Sequence, residues 1–158
     1  MRIRRIFLLL FIVFAASYSA HAQGNSTPAV VLTADGPIMP PMLEYIQRGI
    51  ETAEQRDAEL LVIQLNTPGG SIDTMQSIVA AIRASKVPVV VYVSPQDAQA
   101  ASAGAIITMA GQVSAMAPRT VIGAASPIDS SGADIESTLE SKIKEDLKAK
   151  ARTLIAAR

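Results

Sequence analysis

The sequence predicts an α/β protein with a parallel sheet, built from repeated β-α units. Three observations carry that prediction. Strand-like apolar runs alternate with amphipathic helical segments along residues 29–110. One of the runs, residues 59–65, is apolar enough to be buried on both faces, a pattern that belongs to parallel sheets, and another, 87–93, is unusually apolar. The connections are long enough for the right-handed crossovers such sheets need. No internal repeat is present.

The elements follow in order. Residues 29–33 form a short strand, and a Gly/Pro-rich connection covers 34–41. Residues 42–56 read as a helix with Met42, Ile46, Ile50 and Ala53 on one face. The strand at 59–65 runs into a sharp turn, Asn66-Thr67-Pro68-Gly69-Gly70. A second helix covers 71–85, with Ile72, Met75, Ile78, Val79 and Ile82 facing inward. The third strand, at 87–93, leads to a run of tiny residues around Ser102, and an apolar helical segment covers 105–110. A short strand at 113–116 precedes a loop-rich stretch at 118–127 and a polar stretch at 128–134. The chain closes on a charged helix at 136–157 carrying Leu139, Ile143, Leu147 and Leu154. It stops at Arg158 within that helical pattern, without a Gly or Pro stop signal, so the domain is expected to be incomplete at its C-terminus.

The first 22 residues read as a secretory leader. Arg2, Arg4 and Arg5 form a basic start, residues 6–16 are apolar, and Ala20-His21-Ala22 is a cleavage signal. The apolar run is short for a spanning helix, which needs about 20 residues. The expected organisation is a leader at 1–22, a polar linker at 23–28 and one domain at 29–158, placed outside the cytoplasm and associated with the membrane.

Removing the leader also removes the one histidine, His21, and three of the 14 basic residues, leaving 11 against 14 acidic ones. No basic stripe points to nucleic acid. There is no cysteine. A mature chain without His or Cys has no Ser-His-Asp triad, no Cys-His pair and no His-based zinc site. A serine nucleophile here needs another base, and lysine is the natural candidate. No cofactor and no metal are expected.

Two loops at the carboxyl ends of strands should meet at one sheet edge, where ligands bind in such folds. One holds Ser102 at a strand-to-helix step, where helix amides favour a developing anion. Taken alone, Ser102 is more readily a serine bonding its own backbone in a helix packed tightly on a sheet. The other loop is the Gly69-Gly70 turn, whose exposed N–H groups at a helix start suit an oxyanion hole. Taken alone, it is more often a connection that needs positive φ.

Five segments in order carry a family resemblance: Leu65-Asn66-Thr67-Pro68-Gly69-Gly70, residues 89–93, Ala100-Ala101-Ser102-Ala103-Gly104, Met116-Ala117-Pro118 and Ile122-Gly123-Ala124-Ala125. The chain closely resembles the NfeD-type membrane-bound serine proteases of the Clp protease class, with the Clp/crotonase fold, from about Val30 to the final helix. The resemblance implies an extracytoplasmic Ser-Lys endopeptidase that cleaves apolar segments of membrane-associated proteins. It makes Ser102 the nucleophile and Lys142, in Lys142-Ile143-Lys144-Glu145-Asp146, the base. Gly69, Gly70 and the amide of Ala103 would form the oxyanion hole. The implied partners are an apolar polypeptide substrate, such as a stomatin- or prohibitin-like membrane protein, and further copies of the chain. A free lysine holds its proton up to a pH of about 10.4, so the base must be desolvated. Lys144 lies two residues away, and periodicity alone does not separate the two. Lys86 falls at the opposite sheet edge. Two other readings are a signal-peptide-peptidase-like enzyme and an inactive interaction module of a membrane assembly.

Overall fold

The computed structural model describes residues 28–123 and 137–156. The expected leader therefore lies outside the described residues. So do Ala124, Ala125 and the polar stretch at 128–134.

Four strands form a parallel sheet in the order β1-β2-β3-β5. They are β1 (Ala29–Asp35), β2 (Leu60–Asn66), β3 (Val89–Val93) and β5 (Val113–Met116). Helix α1 (Pro40–Gln55) connects β1 to β2, and α2 (Ile72–Ala84) connects β2 to β3. A second, two-stranded parallel sheet pairs β4 (Gln99–Ala101) with β6 (Val121–Gly123). Between these two lies α3 (Ala103–Ala110), and α4 (Ser137–Ala156) ends the described chain.

The helix starts follow local chemistry. Pro40 and Pro41 open α1, where a missing N–H costs nothing and φ is already helical. Ser71 caps α2, its hydroxyl accepting from Thr74 N–H at 3.3 Å. The core is aliphatic. Leu61, Ile63 and Leu65 of β2 and Val89, Val91 and Val93 of β3 are fully buried against Ile46 of α1, Met75, Ile78 and Ile82 of α2, and Ile107 of α3.

The opposite face of the sheet departs from the expectation of burial on both sides. Along β2, Leu60, Val62, Gln64 and Asn66 are only half-buried, and Val31 of β1 is 55% exposed. Among the described residues no helix covers this face; the helices pack on the other. Strands β4 and β6 are additions to the predicted elements. Each is three residues long and too short to show alternation, and each owes its strand form to partners distant in sequence.

Helix α4 docks on α3 through one stripe. Leu147 and Leu154 are buried, and Ile143 and Ala151 are packed against the core. The side chain of Leu139 lies outside the described residues.

Candidate active site

Ser102 sits between β4 and α3 with φ 52° and ψ −116°. A non-glycine residue in that region carries local strain, which surrounding structure has to hold. The hold is visible. Ser102 N–H donates to Gly123 O at 2.8 Å, and Ser102 O accepts from Ala105 N–H at 3.0 Å. Its side chain makes no cap hydrogen bond although it occupies the N-cap position of α3. The hydroxyl is thus not spent on its own helix, as it would be in a purely structural capping serine.

The glycine turn stands directly beside it. Main-chain bonds join the two segments on either side of Thr67: Thr67 N–H donates to Gln99 O at 2.7 Å, and Ala101 N–H donates to Thr67 O at 3.0 Å. A further pair ties the turn to residue 38. Ile38 N–H donates to Gly69 O, and Ser71 N–H donates to Ile38 O, both at 2.8 Å. Gly69 has φ 107°, and a Cβ there would lie 2.7 Å from Ser102 Cβ. A Cβ on Gly70 would strike the Ile38 carbonyl oxygen. Both positions therefore require glycine, one for conformation and contact with Ser102, the other for close backbone approach.

The amides of the turn divide between two uses. Gly69 N–H donates to Thr67 Oγ1 at 3.1 Å, so this group is taken within the turn. Among the described residues, the N–H groups of Gly70 and Ala103 have no hydrogen-bond acceptor. Ala103 is the first residue of α3, where an N–H has no intrahelical acceptor. Gly70 lies at an isolated parallel bridge whose two hydrogen bonds run through its neighbours, Gly69 and Ser71.

The lysines fall on different flanks of α4. The apolar stripe of Ile143, Leu147, Ala151 and Leu154 faces the core. At 3.6 residues per turn, Lys144 lies roughly 65° from the centre of that stripe and Lys142 roughly 135°. Accordingly Lys142 is exposed and Lys144 half-buried. The expected desolvation of Lys142 is not met by the described residues.

A groove of about 660 Å³ lies at the carboxyl ends of β1, β2 and β3, lined by Asp35, Gln64, Asn66, Tyr92 and Ser94 among others. It belongs to the open sheet face and includes none of Ser102, Gly69 and Gly70. Among the described residues, no group of His, Asp and Glu is arranged to hold a metal ion, and no helix is long and apolar enough to cross a membrane.

Membrane-bound protease PH1510 of Pyrococcus horikoshii is 49% identical over 85 residues, covering 54% of this chain and 19% of that protein. Two solved structures of the 1510-N membrane-bound stomatin-specific protease superpose closely. A serine-to-alanine mutant does so with a TM-score of 0.75 and 39% identity, covering 82% of this chain and 63% of that one. A lysine-to-alanine mutant in complex with a substrate peptide gives 0.74 and 36%, covering 80% and 60%. The replaced serine and lysine lie 41 residues apart in that protein. Here Ser102 is 40 residues from Lys142 and 42 from Lys144. ClpP1 of Listeria monocytogenes, with a TM-score of 0.61 at 21% identity over 80% of this chain and 70% of its own, shares the fold. The chain thus spans a fifth of the curated relative and under two thirds of the solved 1510-N chains. The family model for the NfeD1b N-terminal domain matches residues 31–154, and the chain belongs to that family.

Proposed function

We propose that this domain is a serine endopeptidase in which Ser102 attacks the scissile carbonyl and a lysine of α4 takes its proton. The observation that carries the reading is the placement of Ser102. It is held at positive φ between strand and helix, its hydroxyl is not used in capping, and it touches a glycine turn. The free N–H groups of Gly70 and Ala103 are the donors suited to the oxyanion. Gly69 serves by having no side chain, since any Cβ would crowd Ser102.

The motif pattern selects Lys142 as the base, and we keep that assignment. Burial alone would select Lys144. For Lys142 to act, its ammonium group must lose water, and a bound apolar polypeptide or a second copy of the chain would supply that cover. The substrate class we propose is apolar segments of a stomatin- or prohibitin-like membrane protein, cleaved outside the cytoplasm; the stomatin specificity of the 1510-N protease supports the first of these partners. A signal-peptide-peptidase-like activity uses the same fold and dyad and differs in substrate.

The test is active-site labelling with a fluorophosphonate probe, together with cleavage of apolar peptides. Wild-type protein should label and cleave, and a folded Ser102→Ala variant should do neither. Equal cleavage by both proteins would rule out the serine mechanism. Absence of labelling and cleavage in wild type would favour an interaction module.

A further inference from the structure

Thr67 lies where three parts of the site meet. It is fully buried, one of few polar residues in the described core. Its main chain holds both hydrogen bonds to β4, the strand that ends at Ser102. Its hydroxyl accepts from Gly69 N–H at 3.1 Å and lies 3.4 Å from Gly69 O, so its one close partner is the glycine turn. Its methyl fills the space where a side chain on Gly104 would stand, in the first turn of α3.

We propose that Thr67 is a positioning residue for the oxyanion side of this site. Its hydroxyl fixes the Thr67-Pro68-Gly69 turn, which leaves Gly70 N–H as the donor beside Ser102. Its methyl seats the first turn of the nucleophile's helix. The proposal rests on the reading of Ser102 as nucleophile. The two roles belong to different atoms, and that makes them separable. A Ser-Thr turn of this kind holds the amide two residues on without further partners. If the hydroxyl is lost, Gly69 N–H loses its acceptor and the turn loses one of its restraints, while the main-chain bonds of Ile38 to Gly69 O and Ser71 N–H remain. Gly70 N–H is then held less tightly, and an oxyanion donor works best when it is preorganised.

The experiment compares Thr67→Val, which keeps the methyl and loses the hydroxyl, with Thr67→Ser, which does the reverse. Two quantities are measured on the full chain: kcat and KM for an apolar peptide, and hydrogen exchange at the Gly69 amide. Thr67→Val should lower kcat by about 10- to 100-fold with KM within about threefold, somewhat less than deleting a donor outright. It should also abolish protection of the Gly69 amide. Thr67→Ser should keep that protection and stay within about threefold of wild-type kcat. Full kcat in Thr67→Val, or equal losses in both variants, would overturn the proposal, because the second outcome is what packing alone gives. If wild-type activity does not depend on Ser102, the catalytic reading fails separately. The exchange data then still decide whether Thr67 holds the turn, and unchanged protection in Thr67→Val overturns that as well.

Discussion

The Gly69-Gly70 turn and helix α4 are held in different ways, and under the proposed mechanism they serve opposite sides of the same serine. The turn is fixed by main-chain bonds to Ile38 on one side and, through Thr67, to β4 on the other. Helix α4 is held through an apolar stripe: Leu147 and Leu154 in the core, with Ile143 and Ala151 beside them. Main-chain hydrogen bonds are directional and weaken steeply when misaligned. An apolar stripe is non-directional and tolerates rolling and sliding. In the proposed site the oxyanion side is therefore preorganised by the fold, and the base side is left adjustable. Under that mechanism a half-buried Lys144 and an exposed Lys142 are rival bases.

The sharpest way to break that comparison is to remove the lysines singly. A general base contributes about 10²–10⁴ in rate. Lys142→Ala is expected to lose that much in kcat, and Lys144→Ala only a few-fold. Steady-state kcat for an apolar peptide reads both effects. The reverse ranking would transfer the role to Lys144 and show that burial outweighs the motif. Activity surviving both substitutions would remove the lysine mechanism.

The turn comes next. Gly70→Val places a side chain against the Ile38 carbonyl and displaces the amide. Loss of one oxyanion donor costs about 10²–10³ in kcat. Gly69→Val should be comparably severe for a different reason, the collision with Ser102. Turnover should fall in both. Full turnover in either folded variant would show that the turn is only a connection.

How much of this could be read from the chain follows the same division. The helices were legible because apolar spacing marks them. Met75, Ile78 and Ile82 are buried as their period of 3.6 requires. The β1, β2 and β3 runs were legible from their apolar content, to within two residues at most ends. Strands β4 and β6 were not, because Gln99-Ala100-Ala101 has no pattern of its own and is drawn into a strand by Thr67 and by Val121–Gly123. The acceptor of the Gly69 amide stands two residues back in the sequence, at Thr67. Thr-Pro-Gly is a turn signal in which the hydroxyl captures the amide two residues on. The choice between Lys142 and Lys144 was not legible, because it depends on which face of α4 meets the core.

The smallest effect is expected where side chains bridge two loops in open water. Arg119 grips Asp97 with two bonds, Nε to Oδ1 at 2.8 Å and Nη2 to Oδ2 at 2.7 Å. The pair joins the loop before β4 to the loop before β6, next to the bond from Val121 N–H to Ala98 O. Its position suggests a brace for the small sheet that ends at Ser102. Its exposure argues otherwise, because solvated ion pairs are screened and contribute little. The Arg119 guanidinium holds the Asp97 carboxyl below the ordinary carboxylate range. A depressed folded value means that the contribution is present above the unfolded pKa and is lost as pH falls through the folded one. Arg119→Ala should therefore lower Tm slightly near neutral pH and low salt. The two melting curves should converge in strong acid and in molar salt, with turnover nearly unchanged throughout. Melting temperatures across pH and salt, measured beside kcat, check this. A turnover loss approaching that of Gly70→Val would mean that the β4–β6 sheet depends on this side-chain brace, and the contrast between main-chain and side-chain support would not hold on the nucleophile's side.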